Sequence, residues 1–402
     1  MNDFQKRAIC LCILALICTS FGQSHWTLKK PVPASSNLFA VTYGKNCFVA
    51  VGQDSVSSGI IYTSTDASTW TQTLKTATLF DGVAYGSNCF TVVGAGGVIY
   101  SSSDGLTWTQ QASGITENLS AVDFCNGRFV AVGGTDTGLC TILSSADGSA
   151  WTMKVLQAID WLYGITFGGG LYVAVGNDVQ SGEGIIYTSH DDSIWFGQSI
   201  PVTNRLLTPA YGSNAYVVVG TGSTFTSPDG STWTKLASGT STPLRGLTFA
   251  DSLFVAAGYF GTIITSPDGQ TWTQHSTGTY QMLRSVTFGD TMFVAVGDSG
   301  TVLTSSSDAT GTMRHDLLRT ENSELTIRIV NSGVIAEFPV ARFCGIVKME
   351  VLDIQGRLVY QSLFEAKKEQ VRIPVRKLPE GAYLLSVTGK TGRLTGRFIL
   401  TK

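Results

Sequence analysis

At 402 residues the chain is too long for one ordinary hydrophobic core, so it holds either several domains or one large repeat array. Its 45 glycines and its low charged fraction of 14% favour short strands joined by tight turns over long helices. The net charge of −2 argues against nucleic acid or another polyanion as a partner.

Residues 1–22 have the pattern of a secretory signal peptide. A basic start at Lys6 is followed by an apolar run over 8–18 and by the small residues Ser20 and Gly22. The run is too short for a transmembrane helix and nothing comparable follows it. We therefore expect an exported chain that is not an integral membrane protein.

Residues 23–313 repeat one sequence pattern, which is clearest at 244–273. Three segments of alternating apolar and polar residues are followed by a turn and by Thr-Trp-Thr. The second segment recurs seven times and ends each time at a glycine, with spacings of 38 to 44 residues. These glycines are Gly52, Gly94, Gly133, Gly176, Gly220, Gly258 and Gly297. The period predicts an all-β, seven-bladed β-propeller with four antiparallel strands, A to D, in each blade.

The seventh copy of the repeat lacks its fourth strand. After 302–307 the chain continues without a Trp, whereas Trp26, Thr27 and Leu28 precede the first strand of the first copy. We predict that this N-terminal strand closes the last blade, so that both ends of the array share one sheet.

The turns between strands C and D carry an Asp-Gly-x-Thr-Trp pattern in three copies, at 104–108, 229–233 and 268–272, and a looser form of it in three others, at 66–70, 147–151 and 191–195. An Asp can fix such a turn by accepting backbone N–H bonds, and the Trp can pack on the apolar face of the blade. The turns resemble the Asp-box (BNR) of sialidase-like propellers, with one residue fewer between Asp and Thr-Trp. The repeats are also similar to those of reducing-end xyloglucan hydrolases and photosystem assembly factors. The resemblance implies a structural role, away from the ligand, for Asp66, Asp104, Asp147, Asp191, Asp229 and Asp268 and for Trp70, Trp108, Trp151, Trp195, Trp233 and Trp272, with Trp26 as their counterpart in the last blade.

Function is expected where the repeat fails to repeat. In a propeller the D-to-A and B-to-C connections share one face, and the A-to-B and C-to-D turns share the other. The opening residue of strand A, near the central channel, varies from Arg to Phe and is therefore not needed for folding. Around the ring it reads Phe39, Asp81, Ser120, Tyr163, Leu207, Arg245 and Arg284.

Longer B-to-C loops in copies 1, 3 and 4 add further candidates, and Trp161 is the one Trp outside the turn pattern. Aromatic rings with carboxylates and arginines are what sugar binding requires, because ring faces stack on sugars and hydroxyls need polar partners. The alternative for each position is an ordinary solvated loop residue. The candidate ligand-binding residues are Arg245, Arg284, Tyr163, Trp161, Asp81, Asp136 and Glu183, with Tyr259 and Phe260 placed to join them.

We predict a binding protein for an extracellular glycan or a surface protein, and two alternatives stay open. A polysaccharide hydrolase or lyase would use Asp81 with Asp54 or Asp178, and two carboxylates within about 5–10 Å across the channel mouth would favour it. A protein-interaction scaffold would be favoured by a channel plugged by Phe39, Leu207 and the arginines. No Ser-His-Asp set, metal cluster or cofactor motif is discernible, and we expect a monomer.

The chain after residue 313 differs in character from the repeats, with 15 basic residues against 9 acidic ones. Segments 351–359, 378–387 and 398–402 alternate apolar and polar residues, which predicts a linker at 314–322 and a small antiparallel β-sandwich at 323–402. The segments carry D-x-x-G-R-x-V, L-x-x-G-x-Y and a basic end, and they resemble the C-terminal sorting domain of type IX secretion cargo. The resemblance implies a Gram-negative bacterium, contact with the type IX machinery, and a secreted or cell-surface location.

Five cysteines remain after the signal peptide, at Cys47, Cys89, Cys125, Cys140 and Cys344. The number is odd and the spacings fit no metal site. Cys47 and Cys89 occupy equivalent strand positions and are expected to be small buried apolar residues. Cys125 and Cys140 form the one pair that we would test as a disulfide.

Overall fold

The computed structural model describes residues 26–305, except 136–139, 157, 159, 201, 203, 237 and 238, together with segments 326–330, 333–337, 346–353, 357–365, 370–373, 381–389 and 392–400. The chain divides into two compact units, Met1–Thr312 and Met313–Lys402. The predicted signal peptide and linker lie outside the described residues, and the predicted domain boundaries stay predictions.

Seven four-stranded antiparallel sheets make up the first unit, one for each sequence repeat, which confirms the seven-bladed propeller. The chain enters with strand β1 (Trp26–Lys29). Blades 1 to 3 then consist of β2 (Asn37–Gly44), β3 (Cys47–Gln53), β4 (Gly59–Ser64) and β5 (Thr71–Thr76); β6 (Phe80–Gly86), β7 (Cys89–Gly94), β8 (Ile99–Ser102) and β9 (Thr109–Gln111); and β10 (Asn118–Cys125), β11 (Arg128–Gly134), β12 (Thr141–Ser145) and β13 (Thr152–Val155).

The remaining blades follow the same order of strands. Blades 4 to 7 consist of β14 (Asp160–Gly168), β15 (Leu171–Asp178), β16 (Gly184–Ser189) and β17 (Phe196–Ile200); β18 (Leu206–Gly212), β19 (Ala215–Gly220), β20 (Thr224–Ser227) and β21 (Thr234–Leu236); β22 (Leu244–Ala250), β23 (Leu253–Gly258), β24 (Ile263–Ser266) and β25 (Thr273–His275); and β26 (Leu283–Gly289), β27 (Met292–Gly297) and β28 (Val302–Ser305). Two short 3₁₀ turns, Ala95–Gly97 and Tyr259–Gly261, follow the second strands of blades 2 and 6.

The second strand of each blade is buried on both faces because it lies between two neighbouring blades. In β3, Phe48 and Ala50 join a core shared with Val294 and Val296 of blade 7. The alternate residues Cys47, Val49 and Val51 join a core shared with blade 2 instead. The period of two in a strand thus divides one apolar sequence between two seams.

The last blade is closed by the N-terminal strand, as predicted. Strand β1 pairs antiparallel with β28, and Trp26 lies opposite Ser305. The Trp26 side chain is buried with Leu283 and Leu303 in the core between blades 6 and 7. Both ends of the array therefore lie in one sheet.

The A-to-B hairpins explain why small polar residues separate the first two strands. Both turn residues have positive φ in each blade, for example Ser87 at 48° and Asn88 at 59°. This backbone is that of a type I′ turn, whose twist matches the twist of the flanking strands. Asn, Asp and Gly tolerate it best, which accounts for their frequency at these positions.

In the C-to-D turns the Asp side chains accept hydrogen bonds from backbone N–H groups that follow in the same turn. In blade 2, Asp104 Oδ1 accepts backbone N–H bonds from Leu106 and Thr107 at 2.8 Å each. The Trp108 ring lies 6.4 Å from the ring of Phe90 in the same blade. The same two-bond pattern recurs at Asp66, Asp147, Asp229 and Asp268. These contacts support a structural role for the turns, and their assignment as Asp-boxes stays a prediction.

Hydrogen bonds between loops define the two faces of the propeller. On one face the Lys45 ammonium, in an A-to-B turn, donates to the Ser103 carbonyl in a C-to-D turn at 2.8 Å. On the other, the Gly96 N–H in a B-to-C loop donates to Asn118 Oδ1, at the end of a D-to-A connection, at 2.9 Å. The predicted grouping of the connections agrees with this placement.

The second unit contains two antiparallel sheets. One has the order β29 (Thr326–Val330), β30 (Gly333–Glu337), β33 (Gln370–Ile373), and the other the order β32 (Leu358–Glu365), β31 (Ile346–Asp353), β34 (Gly381–Gly389), β35 (Gly392–Leu400). Met349, Val351 and Tyr383 are buried in the second sheet. That the two sheets pack as a sandwich stays a prediction.

Candidate ligand-binding site

A β-bulge occurs at the same position of strand A in all seven blades. The pairing of β2 with β3, for example, shifts between Leu38 and Ala40, so that Phe39 is the extra residue. A bulge re-aims the side chain of its extra residue. The seven bulged residues are Phe39, Asp81, Ser120, Tyr163, Leu207, Arg245 and Arg284. They coincide with the ring of variable positions recognised in the sequence.

The glycine that ends strand B makes room for this bulge. A Cβ atom on Gly176 would lie 2.0 Å from the Trp161 carbonyl oxygen, and the corresponding distances in the other blades run from 1.9 to 2.2 Å. Any larger residue would push strand A away from strand B. The glycine at the end of strand B therefore recurs in every blade because the bulge in the adjacent strand A leaves no room for a side chain.

The bulged residues line a cavity of about 570 Å³ at the mouth of the central channel. Its volume lies within the range of about 300–1,000 Å³ that is usual for small-molecule sites. Trp161 and Asn118, at the beginning of strand A in blades 4 and 3, also line it. Phe39, Leu207, Arg245 and Arg284, whose plugging of the channel would favour a scaffold, all line this cavity, and the scaffold alternative stays a prediction.

Two arginines occupy one side of this mouth, on blades 6 and 7, and they are held differently. Arg284 Nε donates to Asp298 Oδ1 at 2.5 Å, and its guanidinium lies 4.7 Å from the centroid of the Phe39 ring. Within the described part of the propeller, no carboxylate forms an ion pair with Arg245. Arg284 is thus paired and fixed, whereas Arg245 lines the cavity without a direct ion pair among the described residues.

Asp81, on blade 2, is the carboxylate of the mouth ring. Burial raises its pKa to about 7, although the charges of Arg245 and Arg284 act in the opposite direction. Among the described residues, none donates a hydrogen bond to this carboxylate or pairs with it. A half-buried carboxylate without partners is costly to maintain, and it is satisfied when a ligand supplies a donor.

An aromatic shelf stands on blade 4. The rings of Trp161 and Tyr163 are stacked, with centroids 5.7 Å apart and an interplanar angle of 23°. The Trp161 indole N–H donates to Ser120 Oγ at 2.8 Å, and the Arg205 guanidinium lies 5.8 Å from the Tyr163 ring centroid. These contacts fix the orientation of the shelf before any ligand arrives.

The structure adds Asp123, which the sequence analysis missed, to the channel wall. It lies on β10 three residues after Ser120, so it is about 10 Å deeper along the strand than the mouth ring. The Phe124 N–H donates to its Oδ1 at 2.8 Å, and burial raises its pKa. Its signal in the sequence was a carboxylate where the other blades have Thr or Ala, at Thr42, Ala84, Thr166, Ala210, Thr248 and Thr287.

The predicted loop carboxylates do not line the cavity. Asp54 pairs with Lys75 at 2.7 Å, and Asp178 accepts backbone N–H bonds from Gln180 and Ser181. Glu183 follows in the same loop, and Asp136 lies outside the described residues. The structure therefore does not bring Asp81 together with Asp54 or Asp178, the pair that a hydrolase was expected to use.

Two exposed aromatic side chains lie on the same face, at the rim of blades 6 and 7. Phe260 is 68% exposed and Tyr280 is 88% exposed. Their loops are joined because the Gly261 N–H donates to the Gln281 carbonyl at 2.9 Å. Tyr280 was not identified from the sequence, where a tyrosine in a polar loop carries no distinguishing pattern.

Among the described residues, the cysteines form no disulfide, and the His, Cys, Asp and Glu side chains form no metal site. The four described cysteines are free thiols: Cys47, Cys89, Cys125 and Cys140. Cys125 and Cys140, the pair considered as a possible disulfide, are therefore not bonded. Both are instead buried side chains in the core between blades 3 and 4. No group of His, Cys, Asp or Glu with metal-binding geometry occurs among the described residues.

Comparisons with known proteins fit these two units. Residues 322–401 match the family described as the secretion system C-terminal sorting domain. No curated protein matches the sequence. Within the described part of the chain, no helix has the length and apolar character needed to cross a membrane.

Several solved propellers share the fold of the chain at low sequence identity. YCF48 bound to D1 peptide has a TM-score of 0.56 at 17% identity and covers 73% of this chain and 97% of its own. YCF48 from Cyanidioschyzon merolae has a TM-score of 0.54 at 15% identity, covering 70% and 98%. The WD40 β-propeller domain of Doa1 has a TM-score of 0.52 at 14% identity, covering 71% and 96%. Likeness at this level establishes the fold alone.

Together these findings define the class of the protein: a seven-bladed β-propeller joined to a C-terminal sorting domain of type IX secretion. Such a sorting domain interacts with the secretion machinery and directs its protein out of the cell or to the cell surface.

Proposed function

We propose that this protein binds an extracellular glycan in the mouth of its central channel. The observation that carries the proposal is the Trp161–Tyr163 shelf, which stands in one cavity with Arg245 and Asp81. A flat, immobilised aromatic surface stacks on the CH face of a sugar ring, and charged groups beside it bind the hydroxyls. Conversion of the glycan is not part of the proposal, because Asp81 has no second carboxylate at its own level among the described residues.

A glycan array tests this proposal with the secreted protein and two matched variants. Trp161→Ala removes the shelf, and we expect the affinity for the array hits to fall about tenfold, since aromatic contacts contribute roughly 0.5–1.5 kcal/mol each beyond the area they bury. Phe196→Ala is the control, because Phe196 is 67% exposed on the outer strand of the same blade and away from the channel.

Two results would contradict glycan binding at this site. The first is an array without hits for the folded wild-type protein. The second is equal binding by the wild type and the Trp161→Ala variant. A turnover assay on the same hits decides the hydrolase or lyase alternative, which predicts shortened products.

A peptide or protein partner is the second candidate, and the exposed pair Phe260 and Tyr280 favours it. Phe260 has a positive φ of 55°, an uncommon conformation for a bulky residue, and it holds the ring out into solvent. One propeller of similar fold, YCF48, has been solved with a peptide bound. On a peptide array this candidate predicts hits that are lost in a Phe260→Ala/Tyr280→Ala variant and kept in Trp161→Ala.

A further inference from the structure

Two groups of opposite charge face the channel mouth without partners. Asp81 lies on blade 2 and Arg245 on blade 6, so the ring of seven blades holds them on nearly opposite sides of the cavity. Neither forms an ion pair or a side-chain hydrogen bond within the described residues. The two groups stand on different sides of one cavity, so a single ligand that spans the cavity can contact both.

From this arrangement we infer that the ligand is an acidic glycan, with a uronic acid whose carboxylate binds Arg245 and whose hydroxyl groups donate to Asp81. This inference rests on the proposed glycan binding and narrows it to one chemical class. A guanidinium presents two parallel N–H donors that match a carboxylate, and a carboxyl oxygen accepts from a sugar hydroxyl whether the carboxyl group is ionised or protonated. The aromatic shelf on blade 4 lies between these positions in ring order and supplies the stacking surface.

The other arginines of the face are already engaged, which singles out Arg245. Arg284 is paired with Asp298 at 2.5 Å and stacked on Phe39. Arg205 is exposed and lies over the Tyr163 ring. Their charges add to the positive potential on that side of the mouth, but Arg245 is the guanidinium left with its donors uncommitted.

Asp81, the carboxylate at the channel mouth, is compatible with an anionic ligand. Asp81 lines the same cavity as Arg245 and Arg284 and feels the charge of both, and the carboxylate of Asp123 lies deeper in the channel wall. Since the pKa of Asp81 is raised to about 7, it can take up a proton near neutrality and so does not repel the ligand carboxylate. A divalent cation is disfavoured in the same cavity because the two arginines oppose it.

The experiment compares two ligands that differ in one group. Calorimetry on the full secreted protein measures binding of a galacturonic acid trimer and of the same trimer with its carboxyl groups reduced to alcohols. We expect the reduced trimer to bind at least tenfold more weakly. Arg245→Met should lower the affinity for the acidic trimer to that for the reduced one, and Arg245→Lys should restore part of the difference. Lys235→Met, at an exposed cation on the outer strand β21, is the matched control and should change nothing.

The outcomes separate this inference from the proposed function. Equal binding of the two trimers overturns the acidic specificity and leaves glycan binding in place, as does an Arg245→Met variant that still prefers the acidic trimer. A glycan array without any hit overturns the proposed function itself. If Arg245→Met does not fold, the comparison of the two trimers on the wild-type protein still decides.

Discussion

At the bulged position of strand A the side chain can differ between blades while the backbone of the blade stays the same. Its neighbours in sequence are constrained: Leu162 is fully buried, and a Cβ on Gly164 would lie 2.4 Å from the Leu207 carbonyl oxygen of the next blade. Tyr163 between them points into an open cavity. The side chain at this position can therefore vary between blades without a change in the residues that flank it.

The raised pKa of Asp81 predicts a pH-dependent stability. This pKa is about 7 in the folded protein and about 4 in an unfolded chain, so between these values the folded state binds more protons. The contribution of Asp81 to stability is therefore lost as the pH rises from 4 to 7. We expect Asp81→Asn to melt at the same temperature as the wild type at pH 4 and at a higher temperature at pH 8, as measured by calorimetry.

A control of opposite sign tests whether this effect is specific to the channel. The hydrogen bond from Lys75 lowers the pKa of Asp54, so that this residue stabilises the fold at neutral pH and loses its effect on acidification. Asp54→Asn should therefore melt below the wild type at pH 7. Parallel melting curves for the wild type and Asp81→Asn at every pH would contradict the burial of Asp81.

The sequence was sufficient to identify the seven residues at the channel mouth. It was not sufficient to identify Asp123, which lies deeper in the channel. Variation from Arg to Phe marked the ring, whereas the position of Asp123 carries only Thr or Ala in the other six blades and did not stand out as variable. The bulge itself was not predicted, because an extra residue leaves the apolar alternation around it nearly unchanged. We expected Asp54 or Asp178 to act with Asp81 because the sequence indicates on which face of the propeller a loop lies. The sequence does not indicate how far that loop lies from the central axis.

At the level of the elements, closure of blade 7 by β1 predicts a marked dependence on Trp26. Its side chain is 5% exposed and packs in the core between blades 6 and 7. Trp26→Ala should lower the free energy of unfolding by about 3–5 kcal/mol, the usual cost of removing a buried aromatic ring. Thr27→Ala is the control, since Thr27 is exposed in the same strand. Urea denaturation measures both, and equal midpoints for the two variants would show that β1 does not close the ring.

The blades were predictable because each repeat carries its own turn chemistry. The C-to-D turns, the type I′ hairpins and the glycine that ends strand B recur in the sequence at fixed places. The missing fourth strand of the seventh copy made Trp26 and its neighbours the natural complement. Packing of the sheets in the second unit was less predictable, because three short alternating segments indicate strands without fixing which strands pair.

At the scale of the whole molecule, the C-terminal unit predicts where the protein is found. Strand β35 pairs with β34 along its entire length, from Gly381 opposite Leu400 to Gly389 opposite Gly392. A chain that lacks residues 392–402 loses this edge of the sorting domain and should accumulate in the periplasm, as measured by cell fractionation and immunoblotting. Arg245→Met in the propeller is the control and should be secreted like the wild type. Normal secretion of the truncated chain would contradict a sorting role for this strand.

The pairing of Trp26 with Ser305 also has a kinetic consequence. It joins the first and last described residues of the propeller, so the largest loop in the unit must close before blade 7 is complete. Contacts between residues so far apart in sequence form slowly. We therefore expect the pairing of β1 with β28 to form last during folding and to break first during unfolding. A partly synthesised chain cannot complete the ring, and the lifetime of the folded propeller outside the cell should be set by the rate at which this four-residue strand detaches.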